Sequence, residues 1–91
     1  MERGKVDIFL LRILMLSDKK LCLKKIVKKI REMNSKKTPS RTAIYKRLAS
    51  LNTKGLINSE WNEGMKLYKI SEEGLKNILE FINQLFGAEV G

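Results

Sequence analysis

The 91-residue chain carries nineteen Lys and Arg against ten Asp and Glu, a formal charge of +9. An excess of that size repels itself and draws polyanions. Histidine is absent and there is one Cys, so a structural zinc site is excluded and the usual members of acid–base and nucleophilic sites are missing; no enzyme, metal or cofactor is expected. The length fits one small domain, residues 1–91, of a size that buries roughly 60–65% of its unfolded surface.

The first predicted helix covers 5–16. Val6, Phe9, Leu10, Ile13 and Leu14 form one apolar stripe at helical spacing, and Ile8, Leu11 and Met15 form a second. A helix apolar on two sides must be buried on both. Either a second subunit supplies the further wall, which makes Ile8, Leu11 and Met15 candidate interface residues, or the helix threads the centre of a small bundle. The apolar run from Ile8 to Leu16 is broken by Arg12 and is less than half of the about 20 residues that a spanning helix needs, so no membrane segment is expected. A lone Cys fits a reducing interior, and the expected location is cytoplasmic.

Ser17 to Lys20 reads as a polar turn. The second predicted helix, 23–34, is amphipathic, with Leu23, Ile26, Val27, Ile30 and Met33 at i, i+3, i+4 and i+7 spacing. Lys24, Lys25, Lys28, Lys29 and Arg31 crowd its other face, where like charges four apart oppose the helix slightly. Such a face suits a bound anion, and it equally suits plain solvation. Three readings of Cys22, just ahead of this helix, are open: a small buried hydrophobe, an intersubunit disulfide, and a thiol activated by the helix terminus and by Lys24 and Lys25.

Asn34 to Ser40 is a loop with helix-start chemistry. Either Thr38 caps with Pro39 at the first helical position, or Ser40 caps further in. The third predicted helix, 40–54, ends where Gly55 supplies a left-handed residue. Ile44, Leu48 and Leu51 point inward. Arg41, Thr42, Tyr45, Lys46, Ala49, Asn52 and Thr53 point outward, and no acid occurs from Ser35 to Ile57. Nothing on that face repels a polyanion.

Residues 56–70 read as a hairpin: a strand from Leu56 to Trp61, a three-residue loop Asn62-Glu63-Gly64, and a return strand from Met65 to Ile70. Ser71 caps the last predicted helix, 72–86, with Glu72 and Glu73 at its positive end. Leu75, Ile78, Leu79, Ile82 and Phe86 form its core stripe, and Gly87 onward reads as a frayed tail. Phe81 and Leu85 lie beside that stripe and join the candidate dimer interface.

The fold expected is mainly α with a small β-hairpin: a winged helix-turn-helix, α-α-α-β-β-α, with a C-terminal dimerisation helix. In that arrangement the third helix enters a major groove about 12 Å wide and the hairpin reaches the flanking backbone. The residues placed to read bases are Ser40, Arg41, Thr42, Tyr45, Lys46 and Ala49. Those placed at phosphates are Lys24, Lys25, Lys28, Lys36, Lys37, Thr38 and Lys66. Asn62, Glu63 and Gly64 form the wing tip.

The stretch Ser40-Arg41-Thr42-Ala43-Ile44-Tyr45-Lys46-Arg47-Leu48-Ala49-Ser50-Leu51-Asn52-Thr53-Lys54-Gly55-Leu56-Ile57 resembles the PadR-like transcriptional regulators of the winged-helix superfamily, whose pattern is a Ser, then Leu-Tyr (here Ile44-Tyr45), Leu three on, Leu three further, and Gly-Leu-Ile. Ile13-Leu14-Met15-Leu16-Ser17 is similar to the end of that family's first helix, Asn58-Ser59-Glu60-Trp61 to its wing strand, and Tyr68 to Gly74 to its wing-to-helix junction. The similarity spans about Val6 to Phe86. Two features depart from the pattern: Cys22 and Leu23 stand where Tyr-Gly is usual, and the wing carries Glu63 and Lys66 in place of several Arg. The resemblance implies a homodimeric repressor that binds double-stranded DNA at a palindromic operator; it assigns no small-molecule effector. The competing reading is a winged-helix module that binds protein, anchored by Tyr45 and Trp61. Salt separates the two, because duplex binding weakens steeply as salt rises.

Overall fold

The structure, a computed structural model, describes residues 3–33 and 38–90, with side chains described for 6–33 and 38–84. The described residues form α1 Arg3–Leu16, β1 Leu21–Cys22, α2 Leu23–Met33, α3 Arg41–Thr53, β2 Ile57–Asn62, β3 Met65–Ile70 and α4 Glu72–Val90. The strands make one antiparallel sheet in the order β1-β3-β2. This is a mainly helical winged-helix architecture, and among the described residues no helix is long and apolar enough to cross a membrane.

α1 is the hub. Val6, Leu10, Leu11, Ile13 and Leu14 are all buried within the single chain, because α2, α3, α4 and β3 each pack against this helix. Leu11, expected at a subunit interface, is only 2% exposed and is a core residue. Of the two readings of the doubly apolar helix, the central one accounts for Leu11. Ile8 and Met15 are half-buried, and Met15 packs on the core.

α2 buries Ile26, Val27 and Ile30 and exposes its Lys and Arg. α3 begins where Ser40, in extended backbone, accepts a hydrogen bond from the Ala43 N–H at 3.1 Å; Ser40, and not Thr38, is the cap. Its C-terminus closes with Gly55 at φ +77°. There the Gly55 N–H donates to the Asn52 carbonyl at 3.1 Å and the Leu56 N–H to the Leu51 carbonyl at 2.9 Å, the double closure of a Schellman motif.

The wing differs from expectation at its turn. Asn62 pairs with Met65, so the loop is the dipeptide Glu63-Gly64, with φ of +52° and +78°. Two successive positive φ angles give a type I′ turn, whose twist matches that of the flanking strands. β1 was not expected at all. It pairs Leu21 with Tyr68 and Cys22 with Leu67, and two residues are too few for strand alternation to register.

α4 departs most. Ile78 is buried and Ile82 half-buried, whereas Leu75 and Leu79, expected in the core, are exposed. The reason is that α4 covers α1 along a narrower seam than its apolar arc. The helix also continues through Gly87 to Val90 in place of a frayed tail; a single Gly costs only about 1 kcal/mol in a helix. The side chains of Leu85 and Phe86 lie outside the described residues.

Candidate nucleic-acid interface

The α3 cap and its inward Ile44, Leu48 and Leu51 fix which way the helix faces. Arg41, Thr42, Tyr45 and Lys46 are consequently exposed together near its N-terminal end, with Ser40 exposed ahead of them and Ala49 half-buried one turn on. Arg47, on the same helix, is withdrawn from this surface: its Nε and Nη2 donate to Asp7 Oδ1 and Oδ2 at 2.8 and 2.7 Å. Asn52 is also engaged, donating through Nδ2 to Ser59 Oγ at 3.1 Å and tying α3 to β2.

Two clefts flank the exposed face. One, of about 520 Å³, lies between α2 and the start of α3 and brings Lys24, Lys28, Arg31 and Arg41 together, with Glu32 as its one acid. The other, of about 370 Å³, lies between α3 and the sheet; Lys24, Arg41 and Lys66 supply its charge, and Tyr45, Trp61 and Tyr68 its rings. Lys24 and Arg41 belong to both, so the two clefts form one cationic surface around the start of α3. Among the described residues no carboxylate lies within ion-pair distance of Lys24, Arg41 or Lys66, whereas Lys20 is paired with Glu60 on the wing.

The expected phosphate contacts divide. Lys24, Lys25 and Lys28 are exposed on α2, and Thr38 is half-buried ahead of α3. Lys36 and Lys37 lie outside the described residues. Lys66 is half-buried, its ammonium 5.9, 6.0 and 5.7 Å from the ring centroids of Tyr45, Trp61 and Tyr68, within the range of cation–π attraction. Burial pushes the Tyr68 phenol above its ordinary pKa, and the charge of Tyr45 adds to the shift. Cys22 is half-buried and lines the second cleft. Asn62, Glu63 and Gly64 are exposed at the wing tip. Among the described residues no three His, Cys, Asp or Glu gather as a metal ion would require.

The ring cluster around Lys66 was missed in the sequence. Trp61 stands directly opposite Lys66 and Ser59 opposite Tyr68, which puts Trp61, Lys66 and Tyr68 on one face of the hairpin. A three-residue loop would have shifted that register by one and sent Trp61 to face Met65.

No family model matches the chain, and no curated protein matches it. Solved structures do. A transcriptional regulator from Clostridium thermocellum superposes with a TM-score of 0.79 at 26% identity, covering 96% of this chain and 85% of that one. A PadR family transcription regulator from Clostridium difficile superposes with a TM-score of 0.73 at 24% identity, over 97% of this chain and 100% of that one. The chain carries the PadR-like winged-helix fold. Bacillus subtilis PadR, solved in complex with operator DNA, is similar at a TM-score of 0.74 and 18% identity, over 86% of this chain and 46% of that longer one. The resemblance noted around Gly55-Leu56-Ile57 therefore has its counterpart in three dimensions, with the PadR-like order of helices and wing intact.

Proposed function

We propose that the protein is a transcriptional regulator that binds double-stranded DNA as a homodimer, with α3 in the major groove and the wing on the flanking backbone. The observation that carries this reading is the exposed, acid-free N-terminal half of α3, bordered on both sides by cations with no carboxylate partner among the described residues. Arg41, Thr42, Tyr45 and Lys46, with Ser40 and Ala49 beside them, are assigned to base edges. Lys24, Lys25, Lys28, Lys36, Lys37 and Thr38 are assigned to phosphates, which position the helix without reading sequence.

The operator complex of Bacillus subtilis PadR supports the same use of the fold here. Repression is the simplest outcome for a small regulator that occupies its site, and the role carries a cytoplasmic location with it. The dimer rests on α4, where Leu75, Leu79 and Phe81 are exposed, together with half-buried Ile8 and Met15. A two-fold pair sets two α3 helices at successive major grooves about 34–36 Å apart.

Selection of bound sites from random duplex DNA tests the proposal. The expected result is a palindromic consensus with half-sites one helical turn apart, bound with an affinity that falls steeply as salt rises. Recovery of no consensus, with binding indifferent to salt, would favour a protein-binding module.

A further inference from the structure

Duplex readout uses the Tyr45 hydroxyl at a base edge but leaves the ring faces of the cleft between α3 and the sheet, and Trp61 altogether, without a use. Paired bases offer only their edges to a protein, and ring faces have nothing to stack on while a duplex stays closed. Yet Trp61 is 71% exposed and Tyr45 45% exposed, beside Tyr68 and three cations that lack a carboxylate partner among the described residues. We propose that this cleft takes one unpaired nucleotide of a DNA strand, its base stacked on Trp61 and Tyr45 and its phosphate held by Arg41 and Lys24. The inference rests on the nucleic-acid reading above and names a second form of the same ligand.

Three observations carry it. A cationic groove with aromatic platforms is the combination by which proteins hold single strands, because every base has a π-face and every nucleotide a charge. The cleft, at about 370 Å³, falls at the lower end of small-ligand sites, which span roughly 300–1,000 Å³. Finally, the cations do not stop at its rim. Arg41 and Lys24 also wall the neighbouring cleft, where Lys28 and Arg31 follow, so a strand has a path for its next phosphates. That continuity favours a nucleotide within a strand over a free one. Lys66, its ammonium within about 6 Å of all three ring centroids, links Tyr45 of α3 to the two rings of the wing.

Trp61 is the only tryptophan, so its emission reports directly on stacking. The full chain is titrated with a deoxythymidine oligonucleotide of about eight residues, with an abasic oligonucleotide of equal length and charge, and with free thymidine monophosphate. Duplex binding is followed separately by anisotropy. The expected result is quenching by the thymidine oligonucleotide and an affinity at least about fivefold above that of the abasic strand, from the contribution of one stacked base. Tyr45→Leu should erase most of that margin with the circular dichroism spectrum unchanged; Lys66→Gln, on the sheet side, should reduce it too and serves if the first variant unfolds. Equal affinity for the abasic strand, no quenching, or a mononucleotide bound as tightly as the oligonucleotide would overturn the inference. Duplex binding that survives such a result leaves the regulator reading standing, whereas loss of every nucleic-acid interaction removes both.

Discussion

Arg47 of α3 holds Asp7 of α1 in a two-pronged ion pair, with both contacts under 3 Å and both side chains about four-fifths buried. The pair crosses the centre of the fold, since α1 is the hub and α3 the helix assigned to DNA. Hydrogen bonding to Asp7 raises the Arg47 pKa, opposed by desolvation and helped by the opposite charge, so the guanidinium stays charged at any practical pH. A planar fork is matched to a carboxylate in a way an ammonium is not. Arg47→Lys should therefore destabilise the chain by about 1–2 kcal/mol, and Asp7→Ala by about 1–3 kcal/mol because it strands a partly buried cation. Urea denaturation of both variants and of the double variant gives the coupling. A coupling near zero would show the fork to be ornamental.

A second junction fixes the wing to α4. Ser71 donates from its N–H to the Leu56 carbonyl at 3.1 Å and from Oγ to the Gly55 carbonyl at 2.6 Å, and its Oγ accepts from the Gly74 N–H at 3.0 Å. A Cβ at position 74 would lie 1.9 Å from the Leu56 oxygen and 2.9 Å from Ile70 Cγ1. The closer neighbour is backbone and cannot step aside without breaking the Ser71–Leu56 hydrogen bond. Gly74→Ala should cost about 1–3 kcal/mol, or about 4–8 °C of melting temperature for each kcal/mol in a chain of this size. Asn77→Ala, exposed on the same helix, should stay within about 0.5 kcal/mol of wild type. Equal melting temperatures for Gly74→Ala and wild type would contradict the close approach.

What the sequence made legible follows from the range of each signal. The Ser40 cap, the Gly55 closure and the inward Ile44-Leu48-Leu51 row are local, and they set the face of α3 that carries Arg41 and Tyr45. The pairing of Arg47 with Asp7 spans forty residues, and nothing in the local pattern of either helix announces it. Leu11 was ambiguous for a related reason: an apolar position records that something covers it, and not whether the cover is the same chain. The ring cluster was lost through one residue of loop length, because register in a hairpin is inherited from its turn. Leu75 and Leu79 show the converse, since helical spacing marks an apolar arc without fixing how much of it a neighbour covers.

Arg41 is the residue on which base reading is expected to turn. It is exposed at the first position of α3 and sits at the wall shared by the two clefts. Arg41→Ala should weaken the selected site by about 1–3 kcal/mol and relax preference at one position. Lys25→Ala, on the outer face of α2, should instead lower the salt slope by about one with the consensus unchanged. Equal losses on selected and random duplexes for Arg41→Ala would move that residue to the phosphate group.

Tyr68 makes the fold sensitive to alkali. Burial raises its phenol pKa, with a further contribution from Tyr45, so the folded chain favours the neutral ring. That contribution to stability is complete below the ordinary value of about 10 and is lost as pH rises toward the higher folded value, because the unfolded chain ionises first. The urea midpoint should fall as pH rises above about 10 in wild type and fall less in Tyr68→Phe. Absorbance near 295 nm should show Tyr68 ionising late. Parallel alkaline limbs for the two proteins would count against the burial argument.

The proposed dimer turns on the two flanks of α4. Ile78 and Ile82 face α1, Leu75 and Leu79 lie to one side of that seam, and Phe81 lies to the other. Leu79 is 50% exposed and Leu75 and Phe81 are exposed with it, apolar side chains that a second copy would withdraw from water. In the proposed dimer a second copy covers these flanks without disturbing the seam, which is why charges placed there should separate association from folding. Leu79→Glu with Phe81→Glu should sediment as a folded monomer and keep the wild-type circular dichroism spectrum. Its affinity for the full palindrome should drop by about 10²–10⁴, the gain that joining two half-site contacts confers, while its affinity for an isolated half-site should stay near that of wild type. Wild-type chain that sediments as a monomer at micromolar concentration and still binds one half-site tightly would end the dimer proposal and leave α3 to act alone.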